Sequence, residues 1–242
     1  MKPLLTVQNV TMRFGGLTAI DNLSFDTAEG SITAVIGPNG AGKTTLFNCL
    51  TGFYKPNSGR ILIYTPQGEM EIQGLPNHRI CNQAGIARTF QNIRLFEKMT
   101  VLENLMVPRQ ANLEEAKEIL GFFTLASYAN KPAGELPYGA QRLLEIARAL
   151  MTKPKLLCLD EPAAGLNPHE TEQLNELLLR IRRQFGITIL LIEHDMRVVM
   201  KISDHIVVLD YGRNIAEGKP ATIQSNPIVL KAYLGEDYQG AA

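Results

Sequence analysis

The chain has 242 residues, of which 45% are hydrophobic and 20% are charged. This composition is typical of a folded protein with a sizeable core, and it excludes a disordered, collagen-like or low-complexity chain. Lys and Arg together number 24, as do Asp and Glu, so no net positive charge attracts nucleic acid or an anionic membrane over long distances.

Neither a membrane span nor an export signal nor a metal cluster is expected. The longest apolar stretches, such as residues 187–192, fall far short of the roughly 18 residues that cross a bilayer. The first ten residues lack the regions of a secretory signal, which favours the cytosol. The three cysteines lack metal-ligand or disulfide-framework spacing, so we expect small hydrophobic side chains at Cys49, Cys81 and Cys158.

The first part of the chain is predicted to form a small β lobe and a strand-loop-helix unit. The first thirty residues alternate apolar and polar around a Phe-Gly-Gly sequence, which predicts two antiparallel strands. The β-branched run at 31–36 predicts a strand, and a glycine-rich loop then leads to a helix over 43–50. Segments 59–64 and 69–72 are predicted to add further strands to the lobe.

Helices are predicted between residues 101 and 150. Asn112, followed three residues later by Glu115, has the spacing of a helix start. A break at 134–138 precedes a helix predicted over 141–150, whose apolar residues share one face. This segment is predicted to be a helical insertion.

Beyond residue 150, short apolar runs alternate with helical patterns. Strands are predicted at 156–159, 187–192 and 206–209, and helices at 168–185 and 196–202. Because continuously apolar strands that alternate with helices form parallel sheets covered on both faces, these runs predict an α/β fold. No internal repeat or polar linker is evident, so we expect two lobes in one module.

Residues 37–45 fit the pattern G-x-x-x-x-G-K-[ST], which is typical of a loop that binds phosphate. Its main-chain amides turn inward, Lys43 reaches the β and γ phosphates, and Thr44 can ligate Mg²⁺. Chance produces this pattern in only about 1% of chains of this length. The nucleotide-binding residues predicted here are Gly37, Pro38, Asn39, Gly40, Ala41, Gly42, Lys43, Thr44 and Thr45.

Acidic and imidazole side chains follow two of the predicted strands. Asp160 and Glu161 come directly after the apolar run at 156–159, and His194 follows the run at 187–192. Ligands of parallel sheets bind beyond the carboxyl ends of the strands, so Asp160 is predicted to hold Mg²⁺. Glu161 could polarise the attacking water, and His194 could contact the γ-phosphate. An acidic or histidine residue after a strand is more often structural when no other motif is present. Here the phosphate-binding loop at 37–45 favours a role in catalysis.

Together these residues resemble the nucleotide-binding subunit of ATP-binding cassette (ABC) transporters over nearly the whole chain. The resemblance implies that residues 37–45 are the Walker A motif and that Asp160 is the Walker B aspartate. It also implies that Glu161 is the catalytic base, His194 the switch histidine, and Gln91 the Q-loop glutamine, which is expected to be both a catalytic residue and a metal ligand. Lys43 is then a catalytic residue as well as a ligand, and the cofactors are ATP and Mg²⁺.

The resemblance also implies a fold and its lobes. It places a mainly parallel P-loop NTPase sheet of the RecA-like type, with an N-terminal antiparallel β lobe, in residues 1–96 and 151–242. The helical signature lobe is expected at 97–150. Phe14 falls where the family places an aromatic ring that stacks on adenine, although an ordinary apolar strand residue is the alternative.

One segment departs from the family pattern. Residues 136–142, here called the signature segment, read Leu-Pro-Tyr-Gly-Ala-Gln-Arg where the family has Leu-Ser-Gly-Gly-Gln. Pro137 supplies neither a hydroxyl nor an N–H group, whereas Tyr138 and Gly139 are expected to contact ATP held by a second cassette. Asn167 stands where many relatives have an aspartate. Because Pro137 lacks these donors, we expect the signature segment to contribute poorly to the nucleotide site of the partner cassette.

The resemblance further implies partners and a location. A second cassette, identical or related, and integral membrane permeases are expected to bind the chain at the cytoplasmic face of the bacterial inner membrane. A periplasmic solute-binding protein is an indirect partner, and nucleic acid is not one. Segments 85–92, 99–104, 160–168 and 232–235 resemble the bacterial branched-chain amino acid importers, which makes hydrophobic amino acids the expected solutes.

Three alternatives stay open at this point. A lipopolysaccharide-export cassette shares the Ala-Tyr-Leu-Gly sequence at 232–235 but more often keeps the standard signature. A non-transport ABC protein of DNA repair or translation would need a coiled-coil insertion or two cassettes in one chain. A small-molecule kinase would not require His194 or the signature segment.

Overall fold

A computed structural model describes residues 2–66, 68–108 and 111–234. Its first sheet is antiparallel and contains four strands, namely β1 (Pro3–Phe14), β2 (Leu17–Ala28), β4 (Ser58–Thr65) and β5 (Gly68–Glu71). The strands lie in the order β2-β1-β4-β5. The turn between β1 and β2 falls at the predicted Phe-Gly-Gly sequence, so the predicted β lobe is confirmed.

The second sheet is mainly parallel. Its strands are β3 (Ile32–Ile36), β6 (Ile86–Arg88), β7 (Leu156–Asp160), β8 (Thr188–Ile192), β9 (His205–Asp210) and β10 (Arg213–Gly218). They lie in the order β10-β9-β3-β8-β7-β6, and only β10 is antiparallel to its neighbour. Every residue of β3, β7 and β8 is buried, as their uninterrupted apolar sequences require. The predicted α/β fold is confirmed, while β6 and β10 were not predicted.

Nine α-helices occur in the described part of the chain. They are α1 (Lys43–Leu50), α2 (Asn77–Arg79), α3 (Val101–Met106), α4 (Leu113–Phe122), α5 (Tyr138–Leu150), α6 (Pro168–Phe185), α7 (Met196–Ile202), α8 (Pro220–Gln224) and α9 (Pro227–Leu234). The predicted ends of α1, α6 and α7 are confirmed. Asn112 caps α4 as predicted, because its side chain accepts the amide of Glu115 at 2.9 Å.

Helix α5 begins three residues earlier than predicted. The prediction placed a break at 134–138 and began the helix at residue 141, but the helix begins at Tyr138 and contains Gly139 in its first turn. A Cβ atom added at Gly139 would lie 2.9 Å from Oε1 of Glu170, so the missing side chain permits close packing against α6.

The parallel sheet is covered on both faces. On β7, Leu157 and Leu159 belong to the core shared with the helices, whereas Leu156 and Cys158 belong to the core shared with α1 and the β lobe. Burial raises the pKa of the Cys158 thiol to about 12, as expected for a small hydrophobic side chain. Within the described residues, no helix has both the length and the apolar character needed to cross a bilayer. Gly235, part of the sequence at 232–235, lies outside the described residues.

Candidate functional site

The residues predicted to carry the chemistry lie at one edge of the parallel sheet. β3 pairs with β8 and β9, and β7 pairs with β6 and β8, all in parallel. The predicted phosphate loop follows β3, Gln91 follows β6, Asp160 ends β7 and His194 follows β8. Because the carboxyl ends of parallel strands meet at the same edge, residues distant in sequence come together there.

Two glycines allow the phosphate loop to lie against neighbouring strands. Gly37 has a φ angle of 149°, and a Cβ atom added there would lie 2.0 Å from the carbonyl oxygen of Leu209 in β9. At Gly42, where φ is 100°, the added atom would lie 2.4 Å from the carbonyl oxygen of Ala19 in β2. The loop leads into α1, which begins without a side-chain cap, as in helices whose first amides bind an anion.

Lys43 occupies the phosphate loop. Its Nζ atom donates hydrogen bonds to the carbonyl oxygens of Gly37, at 2.6 Å, and Pro38, at 2.9 Å. Burial lowers the pKa of Lys43, and the carboxylates of Glu161 and Asp160 oppose this change. The ammonium group therefore binds two carbonyl oxygens under the electrostatic influence of two carboxylates, and phosphate oxygens would suit it as further acceptors.

Asp160 is paired with an arginine that sequence reasoning missed. Nη2 of Arg88 donates to Oδ2 of Asp160 at 2.7 Å, and the two side chains are only 6% and 3% exposed. Nη1 of Arg88 donates to Oδ1 of Asn48 at 2.6 Å and to Oγ1 of Thr51 at 3.2 Å. Arg88 thus joins the end of β6 to β7 and α1. Its position at the carboxyl end of a strand was a usable signal, had β6 been predicted.

A cavity of about 370 Å³ brings together the three residues predicted to hold Mg²⁺, which are Thr44, Gln91 and Asp160. Hydroxyl, amide and carboxylate oxygens are the hard ligands that Mg²⁺ prefers, and the ion usually binds them together with phosphate oxygens. The glycine-lined loop, the uncapped start of α1 and these oxygens therefore fit a magnesium nucleotide.

Two other predicted catalytic side chains, those of Gln91 and His194, lie close to the Glu161 carboxylate. Nε2 of Gln91 donates to Oε2 of Glu161 at 2.9 Å, and Nδ1 of His194 lies 3.6 Å from the same oxygen. Glu161 has a φ angle of 47°, which is uncommon for glutamate, and its N–H donates to the carbonyl of Ile192 in β8. With this backbone conformation the chain turns away from β7, which ends at Asp160.

Glu193 is a second residue that the sequence analysis missed. It is fully buried, and its carboxylate accepts the amides of Ala163 at 2.8 Å, His194 at 3.1 Å and Asp195 at 3.4 Å. Burial raises the pKa of Glu193, and these amides partly oppose the rise. Glu193 thus holds the loop of His194 against the loop that follows Glu161.

Phe14 lies on an exposed aromatic surface with Tyr54. Its side chain is 42% exposed, and its ring packs edge-on against Tyr54 with centroids 5.2 Å apart. Tyr54 also lines the cavity that contains Thr44, which brings this surface close to the phosphate loop. No motif marks Tyr54 in the sequence, because it follows α1 in an irregular segment.

The signature segment surrounds the start of α5. Pro137 precedes the helix and provides no side-chain cap. Tyr138 is 46% exposed, and its hydroxyl oxygen accepts a hydrogen bond from Nη2 of Arg142 at 3.0 Å. The side chain that replaces the family's first signature glycine thus contacts its own helix.

Asn167 caps the start of helix α6. Its side chain accepts the amide of Glu170 at 3.0 Å, while the Glu170 carboxylate accepts the amide of Asn167 at 2.9 Å. This reciprocal pair is a capping box at the start of α6. An asparagine suits that position as well as an aspartate does, because both are strong N-cap residues.

Known proteins resemble the chain over almost its whole length. Residues 20–164 match the sequence profile of the ABC transporter family, and residues 213–239 match that of the branched-chain amino acid ATP-binding cassette transporters. The high-affinity branched-chain amino acid transport ATP-binding protein BraF of Pseudomonas aeruginosa is 49% identical, covering 97% of this chain and 99% of that protein. LivG of Escherichia coli K12, described in the same words, is 47% identical with equal coverage.

Solved structures resemble the fold closely. The ADP conformation of MJ1267, an ATP-binding cassette of an ABC transporter, matches with a TM-score of 0.88 at 35% identity, covering 98% of this chain and 100% of that one. A dimeric post-hydrolysis state of the cassette MJ0796, bound to ADP and phosphate, matches with a TM-score of 0.77 at 26% identity, covering 89% and 98%.

Proposed function

Because the chain belongs to the ATP-binding cassettes of ABC transporters, and among them to the branched-chain amino acid group, we propose that it hydrolyses ATP to power branched-chain amino acid import. The observation that carries the proposal is the meeting of the phosphate loop, Asp160, Gln91, Glu161 and His194 at one sheet edge. The relatives named above are branched-chain amino acid transport proteins, which favours this class of solute over lipopolysaccharide.

Nucleotide binding is assigned to the phosphate loop, to Phe14 and to the residues that would hold Mg²⁺. In this proposal Lys43 exchanges its contacts with Gly37 and Pro38 for β- and γ-phosphate oxygens, and Phe14 stacks on the adenine ring. Thr44 and Asp160 would hold Mg²⁺, which neutralises phosphate charge when it is bound.

The proton transfer is assigned to Glu161. Its carboxylate is placed to accept a proton from the attacking water, while His194, close to the same oxygen, would contact the γ-phosphate. Gln91 donates to Glu161 through Nε2, which leaves its Oε1 atom as a ligand that would hold Mg²⁺ together with Thr44 and Asp160. The Glu161 carboxylate can accept a further hydrogen bond from the water.

Two cassettes are needed for a complete site in this proposal. Each chain carries one phosphate loop and one signature segment, so Tyr138 and Gly139 would reach the nucleotide of the opposite subunit. We assign the signature segment to a helical lobe at 97–150 and the phosphate loop to a core at 1–96 and 151–242. The second cassette is a copy or a relative of this chain.

The proposal predicts that the full chain binds ATP in the presence of Mg²⁺. Isothermal titration calorimetry should detect this binding, and Lys43→Met should weaken it by about tenfold or more, because a charged hydrogen bond is lost. The exposed variant Lys117→Met is the matched control and should bind normally. A well-folded wild-type chain without affinity for the nucleotide, alone or with its partners, would overturn the assignment.

Pro137→Ser is predicted to raise ATP turnover in the reconstituted transporter. Serine restores a hydroxyl group and an N–H group at the start of α5, both of which can bind the γ-phosphate of the partner's nucleotide. Pro137→Ala, which restores only the N–H group, should give an intermediate rate. Equal or lower turnover in a well-folded serine variant contradicts the idea that this segment limits the rate.

Permeases are the proposed membrane partners, and the cytoplasmic face of the inner membrane is the proposed location. Affinity purification from membranes of cells that co-express a branched-chain amino acid permease should recover the chain in a stable complex. In vesicles, a periplasmic solute-binding protein loaded with leucine should stimulate ATP turnover. Stimulation by lipopolysaccharide instead would indicate that the chain is a lipopolysaccharide-export cassette.

A further inference from the structure

We propose that Arg142 and Glu145 are positioning residues that fasten the main chain around Gln91 to helix α5, so that Gln91 and the signature segment move together. The inference rests on the proposed function, because it concerns how the residue at one nucleotide site is connected to the segment that covers the other. It goes beyond the site residues, since neither side chain lines the cavity that contains Thr44, Gln91 and Asp160.

The side chain of Arg142 joins α5 to two consecutive peptide groups. It is fully buried, and its Nη1 atom donates to the carbonyl oxygen of Phe90 at 2.8 Å. Its Nη2 atom donates to the carbonyl oxygen of Gln91, also at 2.8 Å, and to the hydroxyl of Tyr138. One guanidinium group therefore holds the peptides on both sides of the Gln91 Cα atom.

Glu145 holds the same segment by its amides. Its Oε1 atom accepts the N–H groups of Phe90 at 3.4 Å and Arg94 at 3.2 Å, while Oε2 accepts from Arg142 at 3.1 Å. The pair thus uses both donors and acceptors of the main chain between residues 90 and 94. Rotation of the helix cannot leave this segment behind without breaking several charge-assisted hydrogen bonds.

The chemistry of the pair favours positioning over simple adhesion. Arg142 is 0% and Glu145 is 3% exposed, and burial raises the pKa of Glu145 despite the neighbouring amides and Arg142. Buried ion pairs seldom stabilise a protein more than well-packed apolar side chains of the same volume do. What the pair adds is positioning, because four of its hydrogen bonds are made to specific main-chain groups near Gln91.

Tyr138 extends the connection to the loop beyond Glu161. A Cβ atom added at Gly165 would lie 3.0 Å from Cε1 of Tyr138, so the ring lies directly on that glycine. The Gln91 side chain already contacts Glu161 from the other side. When Gln91 moves, the Arg142 side chain is placed to pass the displacement to the signature segment.

The test measures the distance between two spin labels as nucleotide binds. Labels at Lys117→Cys in α4 and Glu69→Cys in β5 report on the two lobes from exposed positions, with Cys81 replaced by Ala. The probe is a non-hydrolysable ATP analogue with Mg²⁺, added to the full chain alone and in the assembled transporter. The variant Arg142→Met/Glu145→Met removes both charges together, and Arg182→Met, which breaks a partly exposed ion pair with Asp204, is the control.

In the parent and in the control, the analogue should change the distance between the labels. In the double variant the change should be lost, while affinity for the analogue stays within about threefold. Gln91→Ala lowers turnover by some factor in the parent, and this factor should be about tenfold smaller in the double variant. The reason is that Gln91 is then no longer connected to the signature segment. If the double variant does not fold, Arg142→Lys, which keeps the charge without the two-nitrogen fork, is measured in its place.

An unchanged distance response and an unchanged Gln91→Ala factor in a folded variant overturn this inference alone. A parent that binds the analogue without any distance change overturns it as well. A parent that binds no analogue overturns the proposed function, and this inference with it.

Discussion

Glu161→Gln is expected to lower ATP turnover by about 100-fold or more while the chain still binds ATP with Mg²⁺. Glutamine has nearly the same shape as glutamate, but its neutral amide cannot accept the proton of the attacking water. Its Oε1 atom can still accept the hydrogen bond that Gln91 now donates to Glu161 at 2.9 Å. Local geometry is therefore preserved, and the loss falls on the chemical step.

Turnover is measured in the reconstituted transporter, and binding is measured by calorimetry on the same preparation. Glu172→Gln, an equivalent change at a surface ion pair with Lys201, should leave both quantities unchanged. Hydrolysis at the normal rate in the Glu161 variant would refute its assignment as the base. Loss of nucleotide affinity would instead indicate that Glu161 acts mainly through the charge it presents to Lys43.

Arg88→Met is expected to lower the free energy of unfolding by about 3–5 kcal/mol, because it leaves the buried Asp160 carboxylate without its partner. The guanidinium group also lies 5.1 Å from the ring centroid of Phe90 and 5.5 Å from that of Phe47, and both contacts are lost. Urea unfolding measures the change. Arg213→Met, which breaks an exposed pair with Asp21, should cost about 1 kcal/mol or less.

The double variant Arg88→Met/Asp160→Asn separates stability from function. Asparagine removes the stranded charge, so most of the lost stability should return. ATP turnover should nevertheless remain low, since an amide is a poorer magnesium ligand than a carboxylate. A double variant no more stable than Arg88→Met would contradict this account of the pair.

Local patterns predicted much of the fold and of the candidate site. The phosphate loop is contiguous, and Asp160, Glu161 and His194 directly follow apolar strands, so each could be found from a few neighbouring residues. Parallel strands then bring such positions together without any knowledge of long-range contacts.

The unpredicted features depend on contacts between distant residues. The pair between Arg88 and Asp160 spans 72 positions, and Arg142 reaches the carbonyl of Gln91 across 51. Hydrogen bonds from a side chain to a distant main chain leave no periodic signal in the sequence. The early start of α5 was missed because glycine has a low helix propensity, while the contact of Gly139 with Glu170 joins residues distant in sequence.

The place of β3 in the sheet has a consequence for synthesis of the chain. Ile32 pairs with Ile189, and Val35 pairs with Val207, so both neighbours of this strand are translated more than 150 residues after it. Pairing between segments so far apart forms slowly, since the ends of a long loop must first meet. Nascent or truncated chains that stop before β9 therefore lack one wall of the nucleotide cradle and expose apolar strand surface to aggregation.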